Sequence, residues 1–268
     1  MTINIDNDYV DVRPLPRARF GDFTGNGWSD LLARDTTTGS LYAYPGNGSG
    51  LESPVRIGAV RHARGQITRL GDFNRNGHED VIAQDSSTGY LWLYPGTGSA
   101  LRPRVRLGTG WNRMKEITAV GDLDGDGYPD ILAIRKSTGH LLFFPGRGTR
   151  LGRRVDLGPG WNTMSELTGI GDLTGDGHPD LLARHTASGQ LFLYPGHGVG
   201  FRPRVSLGRG WSGRRSLVGV GDFNRDGHPD LMAVDSETGT LRLFPGRTGG
   251  LSAGIRLPGA WANRRPLL

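Results

Sequence analysis

The sequence contains no cysteine, and only two of its 32 basic residues, Lys115 and Lys136, are lysine, which leaves 30 arginines. Without cysteine, disulfide bonds and thiolate metal sites are excluded, whichever redox compartment holds the chain. No stretch approaches the ~20 consecutive apolar residues that a membrane-spanning helix needs. We therefore expect no membrane insertion.

Residues 1–20 lack the charged and then apolar pattern of a secretory signal peptide. A protein with such a start either stays inside the cell or has lost a leader. The function outlined below favours the second alternative, so we expect a secreted protein whose signal peptide is not part of this sequence.

The common catalytic motifs are also missing from the sequence. There is no nucleophile elbow, no HExxH motif and no P-loop. Residues 208–213 match the letters of a dinucleotide fingerprint, but no helical pattern follows them, so we discard that match. We expect no catalytic residues and a protein that is not an enzyme, although a fold alone does not exclude an active site.

Glycine (45 residues) and proline (16) are abundant, and they recur in register rather than at random. The register is set by an acidic loop, seen most fully at residues 122–130, that recurs every 50 residues. We number these acidic loops one to five; they span residues 22–30, 72–80, 122–130, 172–180 and 222–230. A period of this size indicates a solenoid or a propeller.

Each repeat contains four short strand patterns. In the third repeat we predict strands at residues 116–120, 131–134, 141–144 and 154–157, separated by turn residues. The apolar run at residues 131–134 suits a strand that is covered on both faces. We therefore predict an all-β protein, a five-bladed β-propeller of 50-residue, four-stranded antiparallel blades. Separate hairpins or a β-solenoid are the alternatives.

The whole chain, residues 1–268, is predicted to be one domain, with repeats that begin near residues 21, 71, 121, 171 and 221. Residues 1–18 align with residues 251–268 at an offset of 250, as two parts of a split repeat. We expect residues 1–20 and 251–268 to close the ring. Residues 256–257 would complete blade five, and residues 261–268 would run towards blade one, where they would pair or compete with residues 10–20.

The acidic loops are candidate metal sites, because hard cations such as Ca²⁺ take several oxygen ligands and these loops place acidic or amide side chains at alternate positions. Loop three is the richest in carboxylates, and the Tyr128 carbonyl is a further candidate ligand. The candidate ligands are Asp22, Asn26 and Asp30; Asp72, Asn74, Asn76 and Asp80; Asp122, Asp124, Asp126 and Asp130; Asp172, Asp176 and Asp180; and Asp222, Asn224, Asp226 and Asp230.

Loops one and two carry asparagine at the fifth position, so they have fewer formal charges and should bind a dication more weakly. The alternative for every loop is an Asx-rich turn without metal, in which aspartate side chains accept backbone N–H groups. Where Ca²⁺ binds, we expect it to be structural, with up to one ion per repeat, because one short loop supplies the ligands.

One tryptophan follows the fourth strand of most repeats: Trp111, Trp161, Trp211 and Trp261. In these glycine-rich connections the rings could bind the C–H faces of sugars, with neighbouring asparagine and arginine side chains as hydrogen-bond donors. The alternative is a packing role, in which each indole wedges adjacent blades together. The sequence leaves both roles open.

The repeated motifs resemble the FG-GAP/VCBS repeat family. The resemblance lies in Gly-Asp-Phe or Gly-Asp-Leu at residues 21–23, 71–73, 121–123, 171–173 and 221–223, in the acidic loops, and in the apolar strands that follow, such as Leu181-Leu182-Ala183. It covers residues 16–260. The resemblance implies a propeller with Ca²⁺ in its loops and an extracellular binding role, as in integrin α-subunit heads and propeller lectins. Such propellers usually have seven blades, so five repeats suggest either a small ring or a fragment.

We expect a multivalent, lectin-like module whose partners are glycans or cell-surface polysaccharide. A protein–protein adhesion module is the second hypothesis. The net charge of +6 supports a third, arginine-driven binding of polyanions, although nucleic acid is the less favoured polyanion. A basic surface that is merely solvated is the alternative to all polyanion binding.

Overall fold

The computed structural model describes residues 20–60 and 65–268, and in that part of the chain the elements are β-strands and two short 3-10 turns. The strands form five four-stranded antiparallel sheets and one two-stranded hairpin. These five sheets are the blades of a propeller, which confirms the predicted fold class. No helix in the described residues is long and apolar enough to cross a membrane.

The strand boundaries recur with the 50-residue repeat. Blade one contains β1 (Leu31–Asp35), β2 (Ser40–Tyr44) and β3 (Val55–Ala59). Blade two contains β4 (Ile67–Gly71), β5 (Asp80–Asp85), β6 (Tyr90–Tyr94) and β7 (Val105–Gly108). Blade three contains β8 (Met114–Gly121), β9 (Asp130–Arg135), β10 (Leu141–Phe144) and β11 (Val155–Asp156).

Blade four contains β12 (Met164–Gly171), β13 (Asp180–His185), β14 (Leu191–Tyr194) and β15 (Val205–Ser206). Blade five contains β16 (Arg214–Gly221), β17 (Asp230–Asp235) and β18 (Leu241–Phe244). The hairpin β19 (Gly246–Arg247) and β20 (Gly250–Leu251) follows, then β21 (Ile255–Leu257) and β22 (Arg264–Leu267). The 3-10 turns are Trp111–Arg113 and Trp161–Thr163.

The predicted strands of the third repeat are all present, but the innermost one is longer than expected. Strand β8 starts at Met114, because its pairing with β9 continues on both sides of a bulge between Lys115 and Thr118. Glu116 occupies the bulge with a φ of 51°, a conformation that few non-glycine residues adopt. Period-two reasoning cannot anticipate such a bulge.

Aromatic or leucine side chains at the second position of the acidic loops join neighbouring blades. Phe23 of blade one is 1% exposed and packs with Val81 and Tyr94 of blade two. Fully burying such a side chain contributes about 1.5–3 kcal/mol. Gly96 makes room for it, because a Cβ there would lie 1.9 Å from the Glu79 carbonyl oxygen and 3.3 Å from the Phe23 ring.

The innermost strands of successive blades crowd together around the axis. A Cβ at Gly169 would lie 2.3 Å from the Ala119 carbonyl oxygen, and one at Gly219 would lie 2.2 Å from the Gly169 carbonyl oxygen. These positions therefore need minimal side chains. The second strands lie between neighbouring blades, and residues 131–134 are 0% exposed, as the continuous apolar run predicts.

Strand β22 at the C-terminus supplies the innermost strand of blade one. It pairs with β1, with Leu267 opposite Ala33. Leu268 and Leu32 exchange two backbone hydrogen bonds of 2.8 and 3.0 Å. The fourth strand of blade five is β21, paired with β18. The predicted involvement of residues 1–19 in ring closure lies outside the described residues.

Candidate functional site

The five acidic loops lie at one end of the blades, because each leads into the second strand of its blade. In blades two to five the loop follows the innermost strand, whereas the innermost strand of blade one is the C-terminal β22. The aspartates at the ninth loop position are the most deeply placed: Asp30, Asp80, Asp130, Asp180 and Asp230 are all 0% exposed. Each of them ends its loop and begins, or immediately precedes, the second strand.

Backbone N–H groups satisfy both oxygens of these ninth-position carboxylates. In loop three, Oδ2 of Asp130 accepts the N–H groups of Leu123 and Asp124, and Oδ1 accepts the N–H of Gly146 at 2.7 Å. The equivalent Oδ1 contacts to Gly46, Gly96, Gly196 and Gly246 measure 2.8–3.0 Å. Each aspartate thus ties the loop to the turn after the third strand, which is the Asx-type role that the sequence left open.

Burial shifts the proton affinity of these carboxyl groups. It raises the pKa of Asp80 and of Asp130 to about 7 and that of Asp230 to about 6, against the opposing effect of the backbone N–H donors. The pKa values of Asp30 and Asp180 are raised for the same reason.

The aspartate at the first loop position uses one carboxylate oxygen to accept a hydrogen bond within its loop. Its other oxygen has no hydrogen-bond partner in three of the five loops. Its Oδ2 accepts the N–H of the glycine five residues later in every loop, for example Gly127 at 2.7 Å from Asp122. Among the described residues, the buried Oδ1 atoms of Asp22, Asp122 and Asp222 have no hydrogen-bond partner. A buried, unpaired carboxylate oxygen is costly unless a cation or donor reaches it.

The fifth loop position shows how the loops can be linked without a metal. In loops one and two, the Nδ2 groups of Asn26 and Asn76 donate to the carbonyls of Gly46 and Gly96, at 3.1 and 3.3 Å. Aspartate cannot donate such a bond. In loop three, Arg147 instead bridges Asp126 and the Gly146 carbonyl. A positive group therefore lies between a carboxylate and a carbonyl in loop three.

Loop three fits a divalent cation better than the others. Oxygens of Asp122, Asp124 and Asp130 lie within 4.8 Å of one another, and they form the one acidic cluster of this kind among the described residues. In loops two and four, by contrast, Oδ1 of Asp72 and of Asp172 already accepts backbone N–H groups. Ca²⁺ binds hard oxygen ligands, and a Ca²⁺ ion in loop three would give the Asp122 Oδ1 the positive partner that it lacks.

Adding Ca²⁺ is expected to raise the melting temperature, and a chelator is expected to lower it. One site at 100 times its Kd adds about 2.7 kcal/mol, which is roughly 5–10 °C for a domain of this size. Removing a carboxylate of this cluster should cost more of this gain than removing an amide in loop one, so we expect D122A to be more harmful than N26A. Differential scanning calorimetry in Ca²⁺ and in chelator checks both; superimposable melting curves would contradict the metal assignment.

Arginines at the fourth loop position clamp neighbouring loops together. The Arg75 guanidinium lies 3.6 Å from the centroid of the Tyr128 ring and donates to carbonyl oxygens of loop three. Arg225 lies in the same way 3.3 Å from the centroid of Trp28 and donates to the Gly27 carbonyl. The structure thus uses part of the arginine excess internally.

The four repeated tryptophans lie mainly inside the protein. Trp111, Trp211 and Trp261 are 4, 8 and 3% exposed. They pack on Phe144, Phe244 and Tyr44 with ring centroids 4.6–4.8 Å apart. This is the packing role, one of the two that the sequence left open. Trp161 is half-buried, and a sugar contact by any of the four stays a prediction.

The sequence did not single out a chain of hydrogen bonds around the axis at the other end of the blades. The side chains of Gln66, Glu116 and Glu166 each accept the backbone N–H of the residue 51 positions later, in the bulge of the next innermost strand, at 2.8–3.1 Å. Burial, with the nearby Glu166 charge, raises the pKa of Glu116. The signal was a polar column at a 50-residue spacing inside an otherwise apolar strand.

A buried ion pair within blade two, at its contact with blade one, was also missed. Arg69 and Glu79 are 3 and 0% exposed and form a salt bridge. Glu79 also accepts the Gly21 N–H at 2.6 Å, and Arg69 donates to the Asp30 carbonyl at 2.7 Å. The sequence signal is a departure from repeats three to five, which have alanine or glycine at the position of Arg69 and proline at that of Glu79.

An open cleft lined by aromatic rings lies between blades three and four. Trp161 packs on Tyr194, with ring centroids 4.7 Å apart, and Phe201 meets Tyr194 edge-on at 6.3 Å. Arg202 and Arg204 line the same cleft, which has a volume of about 520 Å³. At the position of Phe201 the other repeats have leucine. Sequence reasoning identified Trp161 but missed Phe201.

Comparison with known proteins identifies the family. The model of the FG-GAP-like repeat matches residues 22–83, 72–133, 122–183 and 172–233. These matches overlap and together run through most of the chain. The protein therefore belongs to the FG-GAP-like repeat family, as its motifs predicted.

Solved structures resemble the chain only distantly. The Tc holotoxin pore of Photorhabdus luminescens is 16% identical with a TM-score of 0.48, and the match covers 94% of this chain and 12% of that one. An auxiliary nutrient binding protein from Bacteroides ovatus is 15% identical with a TM-score of 0.46, covering 88% and 57%. A luciferin-regenerating enzyme is 9% identical with a TM-score of 0.45, covering 93% and 80%. Such scores support no conclusion about function, and the comparison with curated proteins returned no match.

Proposed function

We propose that this propeller is a non-enzymatic, calcium-stabilised, multivalent module that binds carbohydrate outside the cell. The observation that carries the proposal is the aromatic cleft between blades three and four. Aromatic faces suit the apolar C–H faces of sugars, and arginine side chains beside them can donate hydrogen bonds to hydroxyl groups. A cleft at the equivalent position between blades two and three supports multivalency, because several weak sites that face one polymer gain avidity without new contacts.

The repeat makes a native-like test of the cleft available. The variant F201L introduces the residue that the other repeats have at this position, so we expect the fold to be kept. Loss of one aromatic contact of about 1 kcal/mol weakens binding roughly fivefold. The measurement is binding of wild type and F201L to a glycan array in Ca²⁺, followed by titration of the glycan that binds best.

Y90Q is the control for this experiment. Tyr90 is a half-buried aromatic residue of blade two, it does not line the cleft, and blade four has glutamine at the equivalent position. We expect Y90Q to bind within twofold of wild type. Equal affinity of F201L and wild type for every bound glycan would remove the cleft from the proposal.

A protein–protein adhesion role is the second candidate, and one surface feature favours it. An exposed apolar residue begins the fourth strand of each blade: Val55, Val105, Val155, Val205 and Ile255, which are 41–54% exposed. These residues lie one to a blade, and a protein partner that contacts several of them would bury apolar surface. A glycan-binding module is released from polysaccharide by a simple sugar, whereas an adhesion module is indifferent to sugars.

A further inference from the structure

The cleft between blades two and three differs from its aromatic counterpart in chemistry. It occupies the equivalent position one blade earlier, around Trp111 and Phe144, and has a volume of about 730 Å³. Four cationic side chains line it: Arg113, Arg135, Lys136 and Arg154. No carboxylate is among its described lining residues.

These cations come from three separate segments of the chain. Arg113 belongs to the 3-10 turn before β8, and Arg154 to the connection before β11. Arg135 ends β9, and Lys136 begins the turn between β9 and β10. No other described blade combines basic residues at the positions of Arg113, Arg135 and Lys136. The cluster is therefore specific to one cleft and does not follow from the repeat.

Arg135 replaces a residue that stabilises the same turn elsewhere. In blades one, two and five an aspartate holds this position, and its Oδ1 accepts two N–H groups of the turn, as Asp35 does from Thr37 and Thr38 at 3.0 and 2.8 Å. Arginine cannot accept these bonds. Natural proteins break such local rules chiefly at functional or strained sites.

Arg154 is available because a neighbouring ring is missing. Arg104 and Arg204, its equivalents in blades two and four, stack on Trp92 and Phe192 at 4.1 and 4.2 Å. In blade three the equivalent residue is the fully buried Leu142. Within the described part of the chain, Arg154 has no hydrogen-bond or ion-pair partner for its side chain.

Existing contacts neutralise little of this charge. Lys136 donates to the Asn112 carbonyl at 2.9 Å, which leaves its charge unpaired. Asp156 offsets part of the charge of Arg135, since its carboxylate stays negative while it is hydrogen-bonded to His140 at 2.9 Å and to the Gly158 N–H. Arg113 and Arg154, like Lys136, form no ion pair with a described carboxylate. Unpaired cations that converge on a groove attract anions.

We propose that the cleft between blades two and three binds an anionic group, a phosphate, sulfate or carboxylate, carried by the polysaccharide. This inference rests on the proposed function, because it names the class of glycan as anionic. A guanidinium group can bind the two oxygens of such an anion at once. A nucleic acid fits less well, because Trp111 is 4% exposed and stacked on Phe144, so its ring offers no face on which a base could stack.

The test compares two double variants that lose the same charge. R113Q/K136Q removes two cations of the cleft, whereas R209Q/R256Q removes two exposed arginines of other blades. The probes are dextran sulfate, neutral dextran of equal length and poly(U), measured by isothermal titration calorimetry at two salt concentrations. We expect R113Q/K136Q to weaken dextran sulfate binding at least tenfold and R209Q/R256Q to change it less than twofold.

Three results would overturn the inference: equal weakening by both double variants, no weakening by R113Q/K136Q, or tighter binding of poly(U) than of dextran sulfate. Its failure is distinct from that of the proposed function. If array glycans bind and respond to F201L while R113Q/K136Q behaves like wild type, only the anionic cleft fails. If dextran sulfate binds through the cleft but the array stays blank, the cleft stands and the wider glycan role fails.

Discussion

Replacing Leu267 with alanine in the C-terminal strand β22 is expected to lower the free energy of unfolding by about 2–5 kcal/mol, as for other buried leucines. Leu267 is 4% exposed and packs in the core that joins blades five and one, with Val218 and Tyr44. The melting temperature should fall by roughly 10 °C. Because β22 is the innermost strand of blade one, the lost packing loosens the closure of the ring.

L217A is the matched control for this prediction, since Leu217 holds the equivalent place in β16 of blade five and is 6% exposed. Chemical denaturation of both variants should give similar losses. If L217A is strongly destabilised while L267A stays within about 0.5 kcal/mol of wild type, as an exposed position would, then β22 does not close the ring.

The variant E79A is expected to destabilise the protein by about 3–5 kcal/mol, because it leaves the Arg69 guanidinium buried without its counter-charge. The double variant R69A/E79P introduces the residues that blade three has at these positions, Ala119 and Pro129. It removes both charges together, so we expect it to be more stable than E79A. Some cost of about 1–2 kcal/mol remains, because the Gly21 N–H and the Asp30 carbonyl lose their partners.

Equilibrium denaturation of E79A, R69A and the double variant R69A/E79A completes a double-mutant cycle for this pair, and R69A/E79P is measured beside it. A coupling energy of several kcal/mol supports a buried pair that holds blades one and two together. If the losses of the two single variants simply add in the double variant, the pair makes no specific contribution at this junction.

The fold could be predicted from the sequence because the same pattern of strands, loops and turns occurs five times in the chain. Turn glycines, the acidic loops and the doubly apolar second strands agree with one another in every copy, and such consistency specifies a blade. The end of the chain follows the same logic. Residues 264–268 align with residues 214–218 of β16, and Leu267 matches Leu217 in the core-facing position.

The acidic loops were predicted as a pattern, but the separate contacts of each loop position were not. The number of carboxylates ranked loop three, residues 122–130, first among the five loops. It could not show that backbone N–H groups occupy both oxygens of Asp130. Nor could it show that Asn26 reaches the Gly46 carbonyl. These details depend on how the loop meets the turn 16 to 20 residues later, which the spacing of acids does not encode.

The cleft residues were missed for a related reason. Phe201 and Arg135 differ from the residues at the equivalent positions of the other repeats. A search for recurring residues therefore does not detect them. Their meaning emerges only when the fold brings Phe201 next to Trp161, or Arg135 next to Arg113 and Lys136. In a repeat protein the shared residues build the scaffold, and the exceptions indicate where one blade differs in function from the next.

The most direct test of the carbohydrate-binding account is a glycan-array measurement on the wild-type protein in Ca²⁺, repeated in chelator. We predict a defined set of bound glycans, enriched in anionic polymers, with signals that fall in chelator as the acidic loops lose their ion. A blank array in Ca²⁺, from protein shown by circular dichroism and calorimetry to be folded, would contradict the account and would favour the adhesion role.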